Sequence, residues 1–116
     1  MLIVEDEAII RMMLVDAFEN EGFEILQADN AIEALAHLAA RPDVSVTVTD
    51  VEMPGQLNGY NLATRAVSTH PDLLIIIMSG RSIAKSGDVP PGAIFLQKPF
   101  SIKEIIFQIP PSINIH

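Results

Sequence analysis

The sequence predicts an α/β domain, with five strand–helix units laid around a parallel sheet. Three observations lead there. Apolar residues switch repeatedly between short extended runs and stripes spaced i, i+3, i+4, the pattern of strands alternating with helices. Four extended runs end on chemically loaded residues: Glu5-Asp6 after Leu2-Ile3-Val4, Asp50 after Val44 to Thr49, Ser79 after Leu73 to Met78, and Lys98 after Ala93 to Gln97. In an open parallel sheet, ligands bind in the crevice outside the carboxyl ends of the strands, so these residues converge on one site. Finally, 116 residues suffice for one buried core but not for a second folded module.

The elements follow in order. After the first strand, Ile10, Met13, Leu14, Ala17 and Phe18 form a helical stripe that ends before Gly22, and Phe23 to Ala28 reads as the second strand. Asn30 caps the second helix, with Glu33 three residues on and Ala31, Ala34, Leu35 and Leu38 facing inward up to Arg41-Pro42. In the third strand Val44, Val46 and Val48 alternate with Ser45, Thr47 and Thr49, and β-branched threonine suits a pleated surface. Pro54, Gly55 and Gly59 mark a loop. A helix then runs from about Tyr60 to Thr69 and stops at His70-Pro71. Leu73 to Met78 is apolar at every position, as a strand covered on both faces requires. Gly87, Pro90, Pro91 and Gly92 leave room for a fourth helix of about two turns at most. The fifth helix opens on a capping box, Ser101 with Glu104. It turns Ile102, Ile105, Ile106 and Ile109 to one side and stops at Pro110-Pro111.

Composition removes several classes of function. With 49% hydrophobic and 19% charged residues the chain is not intrinsically disordered, and no apolar run approaches the roughly 18 residues of a membrane span. Its first residues lack a basic region followed by a long apolar stretch, so no secretory signal is expected. The absence of cysteine excludes disulfides and thiolate chemistry, and a cytoplasmic location is the default expectation. A net charge of -8, with seven scattered Lys and Arg, argues against nucleic acid as a direct partner.

At the strand ends, two carboxylates about 5 Å apart repel by roughly 3 kcal/mol at an effective dielectric near 20. Either the pKa values of Glu5, Asp6 and Asp50 split, or a divalent cation sits among them. Oxygen-only donors favour Mg²⁺, which binds through one or two carboxylates plus a phosphate. Lys98 supplies a point charge for a phosphoryl group and Ser79 a hydroxyl donor. Asp50 is then the natural nucleophile, forming an acyl phosphate in a phosphoryl-transfer site. No Gly-x-x-x-x-Gly-Lys-Ser/Thr loop is present to cradle a nucleotide, so ATP is a poor candidate donor.

In these residues the chain resembles a receiver domain of bacterial two-component signalling, from Met1 to about Ile109. The resemblance rests on Ile3-Val4-Glu5-Asp6-Glu7, on Asp50-Val51-Glu52-Met53-Pro54 with Asn58-Gly59, on Met78-Ser79-Gly80 and on Lys98-Pro99-Phe100. It implies a flavodoxin-like (βα)5 fold with strand order 2-1-3-4-5, over residues 1–109, followed by a tail of 110–116. It further implies that Asp50 accepts a phosphoryl group from a phosphohistidine on a sensor histidine kinase or phosphotransfer protein. By the same resemblance Mg²⁺ or Mn²⁺ is held by Asp6, Asp50 and the backbone carbonyl of Glu52, with Glu5 acting through a metal-bound water. Ser79 and Phe95 take the family's switch positions, and Lys98-Pro99 is a candidate cis bond. The downstream protein partner is unspecified, and the chain is expected to act as a monomer or weak dimer.

Relative to the family pattern, the loop from Asp50 to Gly59 is one residue longer, and the fourth and fifth helices are curtailed. Alternatives from other classes are a pseudo-receiver, an interaction module that keeps the fold without the chemistry, and a metal-dependent phosphatase, which needs a second acid that is not clearly positioned. His37 and His70 lack partners at metal-ligand spacing and read as surface residues. Met12 and Met13 read as core filler, and the Glu52 side chain points near the phosphoryl edge.

Overall fold

The computed structural model describes residues 1–80, 89–98 and 101–110. Alternation along its strands sorts the core into two layers. β1 (Leu2–Val4), β2 (Leu26–Ala28), β3 (Val46–Asp50), β4 (Leu74–Ser79) and β5 (Ile94–Gln97) are parallel and stand in the order β2-β1-β3-β4-β5. This is the flavodoxin-like order expected from the sequence. Leu2, Val4, Ile75 and Ile77 face one side of the sheet, where they pack with Ala31, Ala34 and Leu38 of α2 (Ala31–Ala40) and Leu62, Ala63 and Ala66 of α3 (Gly59–Thr69). Ile3, Val46, Val48, Ile76 and Met78 face the other, against Leu14, Val15 and Phe18 of α1 (Ala8–Asn20) and Ile105 of α4 (Ile102–Phe107). Side chains of period two thus serve two helical layers at once.

Local chemistry sets the helix boundaries. The α1 terminus is a Schellman motif: Gly22 adopts φ 95°, its N–H reaches the Glu19 carbonyl at 3.0 Å, and the Phe23 N–H reaches the Phe18 carbonyl at 3.1 Å. The Phe18 and Phe23 rings then meet edge to face at 5.9 Å. Residues 23–25 are therefore spent on closing the helix, and β2 begins at Leu26 rather than at Phe23, matched to the three residues of β1. The Asn30 side chain accepts the Glu33 amide at 2.8 Å, capping α2. Asn58 and Asn61 form a reciprocal capping box at the start of α3. Ser101 and Glu104 do the same for α4, which ends at Phe107, short of the Pro110-Pro111 stop, because the residue before a proline disfavours helical backbone.

The burial expected of two methionines is overturned as well. Met12 and Met13 are 61% and 67% exposed, not core. The helix meets the sheet through Leu14, Val15 and Phe18, and at about 100° per residue this turns Ile9, Met12 and Met13 to solvent. The expected fourth helix falls largely on residues 81–88, and the candidate cis bond involves Pro99; these lie outside the described residues, as do 111–116 of the tail. Among the described residues no helix is long and apolar enough to cross a membrane.

Candidate functional site

The parallel ladder continues past the strand ends and sets the site's backbone. The Glu5 N–H bonds the Ala28 carbonyl at 3.0 Å, the Val51 N–H bonds the Met78 carbonyl at 2.9 Å, and the Lys98 N–H bonds the Ser79 carbonyl at 2.7 Å. Three segments far apart in sequence are thereby clamped along one edge. The Arg11 guanidinium, on the first turn of α1, adds a 2.8 Å bond to the Glu5 carbonyl. From the opposite side α3 starts against the end of β3: the Gly59 N–H reaches the Val51 carbonyl at 3.0 Å, and a Cβ at Gly59 would overlap the Asp50 carbonyl oxygen. Only glycine permits this approach of helix to strand.

Asp50, the last residue of β3, is 7% exposed, and Lys98 Nζ lies 3.3 Å from its Oδ2. Burial raises the Asp50 pKa above the ordinary carboxylate value and the Glu52 side-chain carboxyl adds to the rise, while Lys98 and, more weakly, Glu5 oppose both. Glu5, 1% exposed, is pushed up to about 7. Desolvation is the main cause. The Glu7 amide, at 3.1 Å from Glu5 Oε2, pulls the other way, and the Asp50 charge and hydrogen bonding with Asp6 and Asp50 push further up. The second oxygen, Glu5 Oε1, is buried and accepts no donor within hydrogen-bond distance among the described residues. Asp6 follows it in the β1–α1 turn and is exposed.

Ser79 ends β4 fully buried, and its hydroxyl donates to Glu52 Oε1 at 3.0 Å. Phe95 on β5 stacks on Tyr60 of α3, with ring centroids 6.4 Å apart at 19°. The sequence reading did not identify the Glu52–Ser79 pair, the Tyr60 partner of Phe95, the Arg11 contact or the close approach at Gly59. Each depends on side chains or backbone meeting across the fold.

Among the described residues, no three His, Cys, Asp or Glu side chains form a metal cage by themselves. A hard divalent cation that keeps most of its waters needs no such cage. The residues present fit one: the donors are all oxygen, they are mutually repelling carboxylates, and one buried carboxylate oxygen lacks a donor among the described residues.

The family model described as response regulator receiver domain matches residues 1–109. The chain is 33% identical over 111 residues to the response regulator receiver protein CpdR of Brucella abortus, covering 93% of this chain and 91% of that protein. It is 36% identical over 108 residues to the sensor kinase CckA of the same organism, but there it covers 90% of this chain and only 11% of the kinase. Against the transcriptional regulator NtrC of Azospirillum brasilense it is 33% identical and spans 24% of that protein. Among solved structures, the receiver domain of NtrX from Brucella abortus superposes with a TM-score of 0.80 at 29% identity, covering 91% of each chain. The response regulator TrrA of Thermotoga maritima, in complex with Mg(2+)-BeF, does so with a TM-score of 0.78 at 28% identity, again over 91% of each.

Proposed function

We propose, from the fact that the chain belongs to the response regulator receiver domain family, that it is a phosphorylation switch whose phosphoacceptor is Asp50. The observation that carries this reading is the Asp50–Lys98 pair, 3.3 Å apart at the carboxyl edge of the sheet, beside the Ser79 hydroxyl and the Glu5 carboxylate. A carboxylate oxygen of Asp50 attacks phosphorus as the bond to the donor imidazole nitrogen breaks, and the histidine, protonated on its other ring nitrogen, leaves as neutral imidazole. Lys98, now freed from a full carboxylate charge, stabilises the phosphoryl oxygens. The donor is a sensor histidine kinase or phosphotransfer protein, and the product is an acyl phosphate on the chain itself. No external substrate is turned over.

Mg²⁺ or Mn²⁺ would be held by Asp6, Asp50 and the Glu52 carbonyl, with Glu5 acting through a water. Such an ion supplies charge neutralisation for the transferring group. Ser79 and Phe95 are the switch residues, and stacking of the half-buried Phe95 on Tyr60 gives the switch a defined resting state. In this reading the chain works in the cytoplasm as a monomer or weak dimer and passes its state to a downstream protein rather than to nucleic acid.

Incubation with acetyl phosphate and Mg²⁺, followed by intact mass spectrometry, tests it. Wild type should gain one phosphoryl group that is lost in mild base, and Asp50→Asn should gain none. A folded chain with no Asp50-dependent adduct would overturn the reading in favour of a pseudo-receiver. An adduct that survives base would assign the chemistry to a hydroxyl instead.

A further inference from the structure

Resting on the phosphoacceptor reading, we propose that the Glu52 carboxylate is an internal anion that holds the Ser79 hydroxyl until a phosphoryl group on Asp50 displaces it. Glu52 stands two residues beyond Asp50 and returns to the same side of the chain. Its amide faces Asp50 Oδ1 at 3.4 Å, and its Oε1 accepts the Ser79 hydroxyl at 3.0 Å, spanning 27 residues of sequence. The side chain thus bridges the end of β3 to the end of β4.

That bridge lies where phosphorylation must act. Ser79 is wholly buried, so its hydroxyl cannot turn to bulk water. A serine hydroxyl has one hydrogen to give, and a carboxylate accepts it through a strong charge-assisted bond. A phosphoryl oxygen on Asp50 that takes this hydrogen must take it from Glu52. The incoming group is also an anion, so it repels the carboxylate it replaces. Glu52 therefore competes with the phosphoryl group for Ser79, and its release is part of switching. The resting state is held by a group that no phosphoryl donor has to supply.

The test is a double-mutant cycle on beryllofluoride affinity in saturating Mg²⁺, followed by amide NMR, using Glu52→Ala, Ser79→Ala and the double variant, with Asp50→Asn as control. Glu52→Ala should bind about tenfold more tightly than wild type, the worth of one charge-assisted hydrogen bond. In the Ser79→Ala background the same change should gain much less. Glu52→Gln, which keeps the shape and an acceptor but drops the charge, should fall between. Without Mg²⁺ or beryllofluoride, the Ser79 side-chain rotamer read from NMR couplings should change in Glu52→Ala and stay in Glu52→Gln. Equal affinities for wild type and Glu52→Ala, with binding still dependent on Asp50, would overturn the latch and leave the phosphoacceptor in place. A gain of the same size with and without Ser79 would also overturn it, assigning the effect to charge alone. Absence of Asp50-dependent binding in every variant would overturn both readings.

Discussion

Glu5 should make stability fall as pH rises, by an amount large enough to measure. Its carboxyl is 1% exposed and its pKa is raised from 4.5 to about 7. Between those values the folded chain binds more protons than the unfolded chain, so the slope of unfolding free energy with pH is negative. The stability given by the protonated acid is fully present below pH 4.5 and is lost as pH passes through about 7. A displacement of this size is worth roughly 3 kcal/mol in total, most of it lost between about pH 5 and pH 8. The raised pKa of Asp50 acts in the same direction and adds to the fall. Glu5→Gln keeps the shape and the acceptor for the Glu7 amide but cannot ionise, so its stability curve should be flatter and should cross above wild type near neutrality. Urea denaturation in EDTA across this range, on wild type and Glu5→Gln, measures the difference directly. Mg²⁺ binds only the folded, ionised cluster in this account, so its stabilising increment should be larger at about pH 8 than at pH 5. Parallel pH curves for the two proteins would refute the reasoning, because the buried carboxyl would then not be the titrating group.

Gly59→Ala should be destabilised by about 1–3 kcal/mol, because its methyl would overlap the Asp50 carbonyl oxygen and come 2.9 Å from Val51 Cα, forcing α3 off the end of β3. Urea denaturation checks this, and a variant as stable as wild type would show that the contact is not tight. Lys98→Met should raise the Asp50 pKa further, since Lys98 is the charge that lowers it, as read by carboxyl carbon NMR titration. With Lys98 about one-third exposed, the loss of global stability should stay under about 1 kcal/mol.

The fold was legible where each residue's local chemistry agreed with the topology. The short apolar run at Leu2 to Val4, the wholly apolar run at Leu73 to Met78 and the capping residues Asn30 and Ser101 all point to elements the structure contains. Boundaries failed where a tertiary partner decided. Phe23 has strand propensity, yet its amide and ring close α1, and β1 offers β2 only three residues to pair with. Met12 and Met13 were misplaced because a helical stripe read from sequence leaves the facing direction open by about one residue. The sheet selects the face carrying Leu14, Val15 and Phe18.

The placement of Glu5, Asp50, Ser79 and Lys98 could be read before the structure because it depends only on topology: in a parallel sheet all strand ends share one edge. What those side chains do there could not. Ser79 ends its strand as expected, but the partner of its hydroxyl is a loop carboxylate 27 residues earlier, and nothing in the spacing distinguishes a hydroxyl waiting for a ligand from one already bound. The pKa of Glu5 has the same character, since a surface Glu and a buried one are written identically in sequence. Propensity and periodicity encode where the backbone goes, and topology then delivers side chains to an edge. Their charge states follow from desolvation among neighbours that only the packed chain assembles. For this site that last step matters most: a buried acid raised to about 7 stands beside a salt-bridged aspartate, and in the proposed function a cation, a proton and an incoming anion would all act on the same few oxygens.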